Sequence, residues 1–197
     1  MKRTNITLLA LAFVPTIAAW SAAQYLATLQ PTSRLWVTGT STVRDFTCQA
    51  KVVDASAETT SPQTARDIMA GQKAVLSLDL KVRPENMDCA NNTMNEHMMK
   101  ALKADANPVI EFKLVSYDTF GANDRMTARL NGTLALGGVE KPITIDAVGT
   151  ATADGALHVT GAYPILMTDY GLKAPSLMMG AMKVNPKVKV NFDLLLK

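Results

Sequence analysis

At 197 residues, with 48% apolar and 19% charged side chains, the chain has material for one domain with a sizeable core, and it lacks the composition of a disordered or fibrous protein. The formal charge is +3, but without Lys2 and Arg3, 18 Lys and Arg face 17 Asp and Glu, a net of +1. No cluster of Lys and Arg interleaved with stacking aromatics occurs, so neither charge nor pattern supports a nucleic-acid partner.

Residues 1–23 have the three parts of a secretory signal: a basic start at Lys2 and Arg3, a largely apolar run from Ile6 to Trp20, and small residues at Ser21-Ala22-Ala23. Cleavage is expected before Gln24, which leaves residues 24–197 as the mature domain and places it outside the cytoplasm, in the periplasm. The alternative is a retained N-terminal anchor, although the run is shorter than the ~18–20 apolar residues of a spanning helix. No cysteine stands beside the cut to carry a lipid anchor.

Alternation with period two then dominates, the mark of half-buried antiparallel strands. Arg34–Thr42, Phe46–Val53 and Ala74–Val82 read as the first three strands, the third with Leu76, Leu78, Leu80 and Val82 on one face. Residues 54–71 are polar and broken by Pro62 and Gly71, and read as a loop or a strand extension. Asn92–Lys103 switches to helical spacing, with Met94, Met98, Met99 and Leu102 opposite Asn95, Glu96, Lys100 and Lys103, and with Asn92 or Thr93 able to cap its start. Pro108 ends it, and Val109–Val115 resumes the alternation. After a turn at Gly121–Asp124, Arg125–Leu136 and Val139–Val148 form a hairpin whose Gly137 and Gly138 can take the positive φ angles of a reversal. Ala156–Pro164 and Val184–Leu196 complete the set, joined by a Gly-, Pro- and Met-rich connection over 169–182. The expectation is all-β: eight antiparallel strands closing into a barrel, with a short α-helix between strands three and four.

Both cysteines, Cys48 and Cys89, survive cleavage, and an even count in an exported chain favours a disulfide. The rival is a metal site with Asp88 or His97, for which two thiols without a spaced partner pair are poor ligation; no metal is expected. A redox pair would need Cys-x-x-Cys spacing, which is absent. His97 and His158 stand alone and read as surface or edge residues. No nucleophile elbow, zinc-binding helix motif or phosphate-cradling glycine loop occurs, and the acids are scattered over polar strand faces, so the expectation is a protein without catalytic residues and without a cofactor. Met94, Met98, Met99, Met167, Met178, Met179 and Met182 crowd the two non-strand insertions. As flexible apolar side chains they serve either as plugs at the barrel ends or as a soft gate over an apolar cavity.

Four stretches in order, Gly39–Phe46, Met98–Phe112, Gly132–Ile145 and Met167–Leu172, together resemble the YceI-like, polyisoprenoid-binding family over nearly all of residues 33–196. The chain departs from the family pattern at Arg44 and Gly138, where many members carry His. Asp88-Cys89 before the Met-rich helix resembles a subset with a paired cysteine, which supports the bridge to Cys48. The resemblance implies an extended, lipocalin-like antiparallel barrel whose apolar channel holds a long isoprenoid chain, such as a quinone or polyprenyl lipid, with no catalytic residue. The expected channel lining is Phe46, Phe112, Leu134, Ile145, Met179 and Phe192, from their places on apolar faces, with Arg44 or Lys141 as head-group candidates near strand ends. The expected function is a periplasmic carrier or sequestering protein for such an amphiphile. The alternative is an interaction module for a membrane redox protein, with the barrel as scaffold.

Overall fold

A computed structural model describes residues 24–121, 125–177 and 180–197. The expected signal at 1–23, most of the Gly121–Asp124 turn, and Met178 and Met179 lie outside the described residues. The elements in order are β1 (Tyr25–Thr28), β2 (Arg34–Gly39), β3 (Phe46–Ala50), β4 (Asp54–Thr59), α1 (Thr64–Met69), β5 (Val75–Val82), β6 (Met87–Asp88), α2 (Asn92–Ala101), β7 (Ile110–Phe120), β8 (Met126–Leu136), β9 (Val139–Ala151), β10 (Leu157–Leu166), β11 (Ser176–Leu177), β12 (Met182–Lys183) and β13 (Lys187–Leu196). Short 3-10 turns occupy Pro84–Asn86 and Met167–Tyr170.

One antiparallel sheet has the order β1-β4-β5-β7-β8-β9-β10-β13-β2-β3-β6, eleven strands where eight were expected. The count differs because long strands are interrupted. A turn at Pro31–Thr32 separates β1 from β2, residues 51–53 separate β3 from β4, and the Pro84 turn separates β5 from β6. β1 pairs with β4 as β2 pairs with β3, so the two short ladders are successive stretches of one pairing. The polar stretch read as a loop or a strand extension holds β4, which is that extension, and α1, which was not expected.

The sheet curls until β1, the first strand of the chain, meets the end of β13, the last. Leu29 bridges Leu196, the Thr28 and Lys197 N–H groups donate to each other's carbonyls at 2.7 and 2.9 Å, and Gln30 N–H donates to Leu195 O at 2.7 Å. Those bonds turn an open edge into a barrel seam, which removes most of the unpaired backbone an edge strand would expose. The β8–β9 hairpin pairs Leu136 with Val139 around Gly137 and Gly138, both at positive φ (58° and 85°), as the tightest right-twisted reversals require.

Two β-bulges reset which side chains face inward. The β4–β5 register shifts at Glu58/Thr59, so Val75 rather than the expected Leu76 faces the lumen and Leu76 is half exposed. The β7–β8 register shifts between Leu114 and Ser116, so Ser116 joins Val115 on the outer face and β7 runs on to Phe120 with Tyr117 and Thr119 inward. A one-residue slip inverts the faces of everything beyond it, and single-strand alternation does not reveal where the slip occurs.

The helices sit at opposite ends. α2 is capped by Asn91, one residue before the expected caps, whose side-chain oxygen accepts from Met94 N–H at 3.0 Å. Cys89, just before α2, is disulfide-bonded to Cys48 on β3.

Candidate functional site

The inward residues of the barrel strands do not meet in the middle. They surround a cavity of about 1200 Å³ that runs the length of the barrel. Its wall is built almost wholly of aliphatic, aromatic and methionine side chains, and polar side chains gather at the ends. Around its waist lie Leu80, Leu130, Ile145, Phe192 and Leu194. Towards α2 the wall continues through Phe112, Leu134, Leu136, Ile143 and Ile165, and on the other side through Leu35, Cys48 and Val82.

Three phenylalanines show how the lumen stays wide. A Cβ placed on Gly39 would overlap the Phe46 ring, one on Gly161 would overlap the Phe192 ring, and one on Gly132 would overlap both the Phe112 ring and Lys113 O. Gly39 pairs with Phe46 and Gly161 with Phe192 across adjacent strands, while Gly132 is diagonal to Phe112. Each ring therefore lies flat on a glycine of the next strand instead of projecting across the channel. Glycine, usually a weak strand residue, here supplies the seat for the ring.

Of the six expected lining residues, Phe46, Phe112, Leu134, Ile145 and Phe192 line this cavity. Met179 lies outside the described residues. Arg44 lines the α2 end and is exposed, beside Val43 and Ser41. Lys141 is not part of the lining. It pairs with Leu134 and so has inward parity, but at this end the 3-10 turn brings up Tyr170, and the Lys141 ammonium lies 5.8 Å from that ring. Burial pushes the Tyr170 phenol up to about 12.

Sequence reasoning missed the other end. There Ala65 and Ile68 of α1 pack with Met126, Leu157 and Ala74, flanked by Met69, Val75 and Val159. The signal was present as apolar residues at i, i+3 and i+4 (Ala65, Ile68, Met69), within six helical residues that follow Pro62.

The few polar groups inside the barrel are satisfied. The Thr59 hydroxyl donates to Ser61 O at 3.1 Å, and the Tyr117 oxygen accepts from Val75 N–H at 3.0 Å. No buried side-chain nitrogen or oxygen among the described residues lacks a partner, and no cluster of His, Cys, Asp and Glu there is arranged to hold a metal ion. The charged groups lie on the outer face or at the ends of the channel. Glu111 bridges Lys81 and Lys113 at 3.1 and 3.2 Å, which holds its carboxyl below the usual range. His158 Nε2 lies 2.7 Å from Asp193 Oδ1, and that bond, with Arg34 on the other oxygen, lowers the Asp193 carboxyl. The geometry is that of a binding channel whose contacts are nondirectional apolar packing.

Residues 27–196 match the YceI-like domain. No curated protein sequence matches the chain. Among solved structures the chain resembles Burkholderia cenocepacia BcnA, at 14% identity, over 83% of this chain and 95% of that one, with a TM-score of 0.65. It resembles a polyisoprenoid binding domain from Saccharophagus degradans, implicated in plant cell wall breakdown, at 14% identity over 87% and 97% of the two chains, with a TM-score of 0.63. The Campylobacter jejuni YCEI protein aligns at 19% identity over 74% and 83%, with a TM-score of 0.51. At these identities the structural likeness is one of fold.

Proposed function

We propose, from the premise that this chain belongs to the YceI-like domain family, that it is an exported, non-catalytic protein that holds a long isoprenoid amphiphile, a quinone or a polyprenyl lipid, in its barrel channel. The observation that carries the reading is the channel itself: about 1200 Å³ with a lining apolar along its length. That exceeds the ~300–1,000 Å³ of ordinary small-ligand pockets. A dry apolar void of such size would cost on the order of 30 kcal/mol at roughly 24 cal/mol per Å³, more than the whole net stability of a domain. Water gains little from a wall without hydrogen-bonding groups, so an apolar chain is the occupant that offsets the cost. Each buried CH₂ contributes about 0.8 kcal/mol, so a long tail binds without any directional contact.

The polyisoprenoid binding domain from Saccharophagus degradans supports the choice of an isoprenoid. The leader composition of residues 1–23 supports export to the periplasm. A polar or phosphate head group belongs at the α2 end, where Arg44 lines the channel mouth.

The test is native mass spectrometry of mature protein from its own exported compartment, followed by solvent extraction and identification of what is released. A stoichiometric isoprenoid is expected, lost in a folded Phe112→Asp variant that places a charge in the wall. A wild-type protein that carries none, and takes up neither quinones nor polyprenyl lipids, would sink the reading and leave the barrel as a scaffold for a membrane redox partner.

A further inference from the structure

The two helices close the channel in unlike ways. α2 has no buried residue: Met94, Met98 and Leu102 cover the wall but stay partly exposed. α1 buries Ala65 and Ile68, and these pack with Met126 of β8, 2% exposed, and Leu157 of β10. The short helix is tied firmly for its size. Thr60 N–H donates to Ala74 O at 2.9 Å, joining both ends of its connection, and the Thr64 hydroxyl donates to Ser61 O at 2.6 Å. Gly71, at φ 79°, ends the turn by donating to Ile68 O at 2.9 Å.

Chemistry distinguishes the ends as well. Near α1 the buried Thr59 hydroxyl donates to Ser61 O at 3.1 Å, and the two lining cations of that rim are engaged, Arg66 by Gln63 and Lys197 by Asp154, both at 2.9 Å. At the opposite mouth the lining cation is Arg44, whose guanidinium no hydrogen bond or ion pair engages among the described residues. One wall position faces the floor without a side chain: a Cβ on Gly149 would stand 3.7 Å from Met69 Cε and 3.8 Å from Leu157 Cδ1, ordinary contact distances.

We infer that α1 is a stop that sets the length of the chain the channel accepts, with Ile68, Met69 and the notch at Gly149 as the residues that fix the limit. The inference rests on the lipid-binding reading and adds orientation and length selectivity to it: the tail end meets α1 and the head stays at the α2 mouth. Affinity should rise about fourfold for each added CH₂, the equivalent of ~0.8 kcal/mol, until the tail reaches the floor, and then stop rising or fall.

The experiment is competition among linear prenols of graded length for delipidated mature protein, read as bound populations in native mass spectra. Wild type should show an optimum length. Ile68→Ala, which deepens the floor, should move that optimum up by about one isoprene unit, and Gly149→Val, which fills the notch, should move it down by a similar step. The variants act in opposite senses and depend on different packing, so a fold lost in one leaves the other to decide. Binding that rises without limit in wild type, or an optimum unmoved in a folded variant, overturns the stop. Failure to bind prenols of every length would instead overturn the lipid-binding reading on which it rests.

Discussion

Glycine and phenylalanine decide the bore of this barrel. Phe192 and Gly161 are cross-strand partners, and the ring occupies the space a side chain on Gly161 would need. Alanine usually improves a strand position over glycine by roughly 0.5–1 kcal/mol. At Gly161 it should do the reverse for binding, because the added methyl drives the Phe192 ring off the wall and into the lumen. Overpacking of this kind costs about 1–3 kcal/mol, so Gly161→Ala should weaken retention of a bound chain roughly five- to 150-fold. A second change, Phe192→Leu, removes the displaced ring and should restore binding in the double variant. Displacement of a fluorescent apolar probe from wild type and both variants reads this directly. Equal affinities in wild type and Gly161→Ala would show that the ring does not shape the channel. Gly149 stands apart from these seats, since a Cβ there would meet Met69 and Leu157 at ordinary contact distances rather than overlap an aromatic ring.

At the scale of elements the disulfide and α2 form one unit. The bond joins β3 to the segment that leads into α2 and closes a loop of 41 residues in sequence separation. Restricting a loop of that length in the unfolded chain stabilises the fold by about 4 kcal/mol on the chain-entropy account. α2 buries no residue, and it is held by the Asn91 cap, by Met94 and Met98 against the wall, and by the bond beside it, where Met98 Sδ lies 3.7 Å from Cys89 Sγ. The double variant Cys48→Ser, Cys89→Ser should therefore lose more than global stability. Amide exchange should accelerate first over residues 89–102, while β8, β9 and β10 stay protected; uniform loss across the barrel would show that α2 does not depend on the bond. The same elements show what the sequence made legible. The Gly137-Gly138 hairpin, the Met-faced helix and the long β8, β9 and β13 strands were readable because their periodicity is local. β4 was readable only as an optional strand extension and α1 not at all, because each has six residues and their apolar positions are small or sparse. The inward faces of β5 and of the far half of β7 were not either, because a bulge is a property of a strand pair: Leu76 and Ser116 follow the alternation of their neighbours until the partner's register is known.

For the molecule as a whole, five of the six expected lining residues fall on one continuous cavity because strand parity survives wherever no bulge intervenes. What alternation alone could not give is that the cavity stays open. That depends on rings laid over glycines, on a seam between Leu29 and Leu196 that holds the sheet curled, and on α1 folding inward. A barrel built around an apolar channel has an unusual stability balance. Its wall is buried only from outside, so on the lipid-binding reading part of the apolar contact that holds an ordinary core together comes from a bound chain. Removing the occupant should therefore lower the melting temperature, and adding it back should restore it in a concentration-dependent way. At a free ligand concentration a hundred times Kd the linked stabilisation is about 2.7 kcal/mol, worth a few degrees for a domain of this size. Calorimetry on solvent-stripped protein, titrated with a linear prenol held in detergent below its own micellar limit, measures the effect. A melting temperature indifferent to stripping and to prenol would mean that the wall supports itself and that the channel is not where this protein does its work.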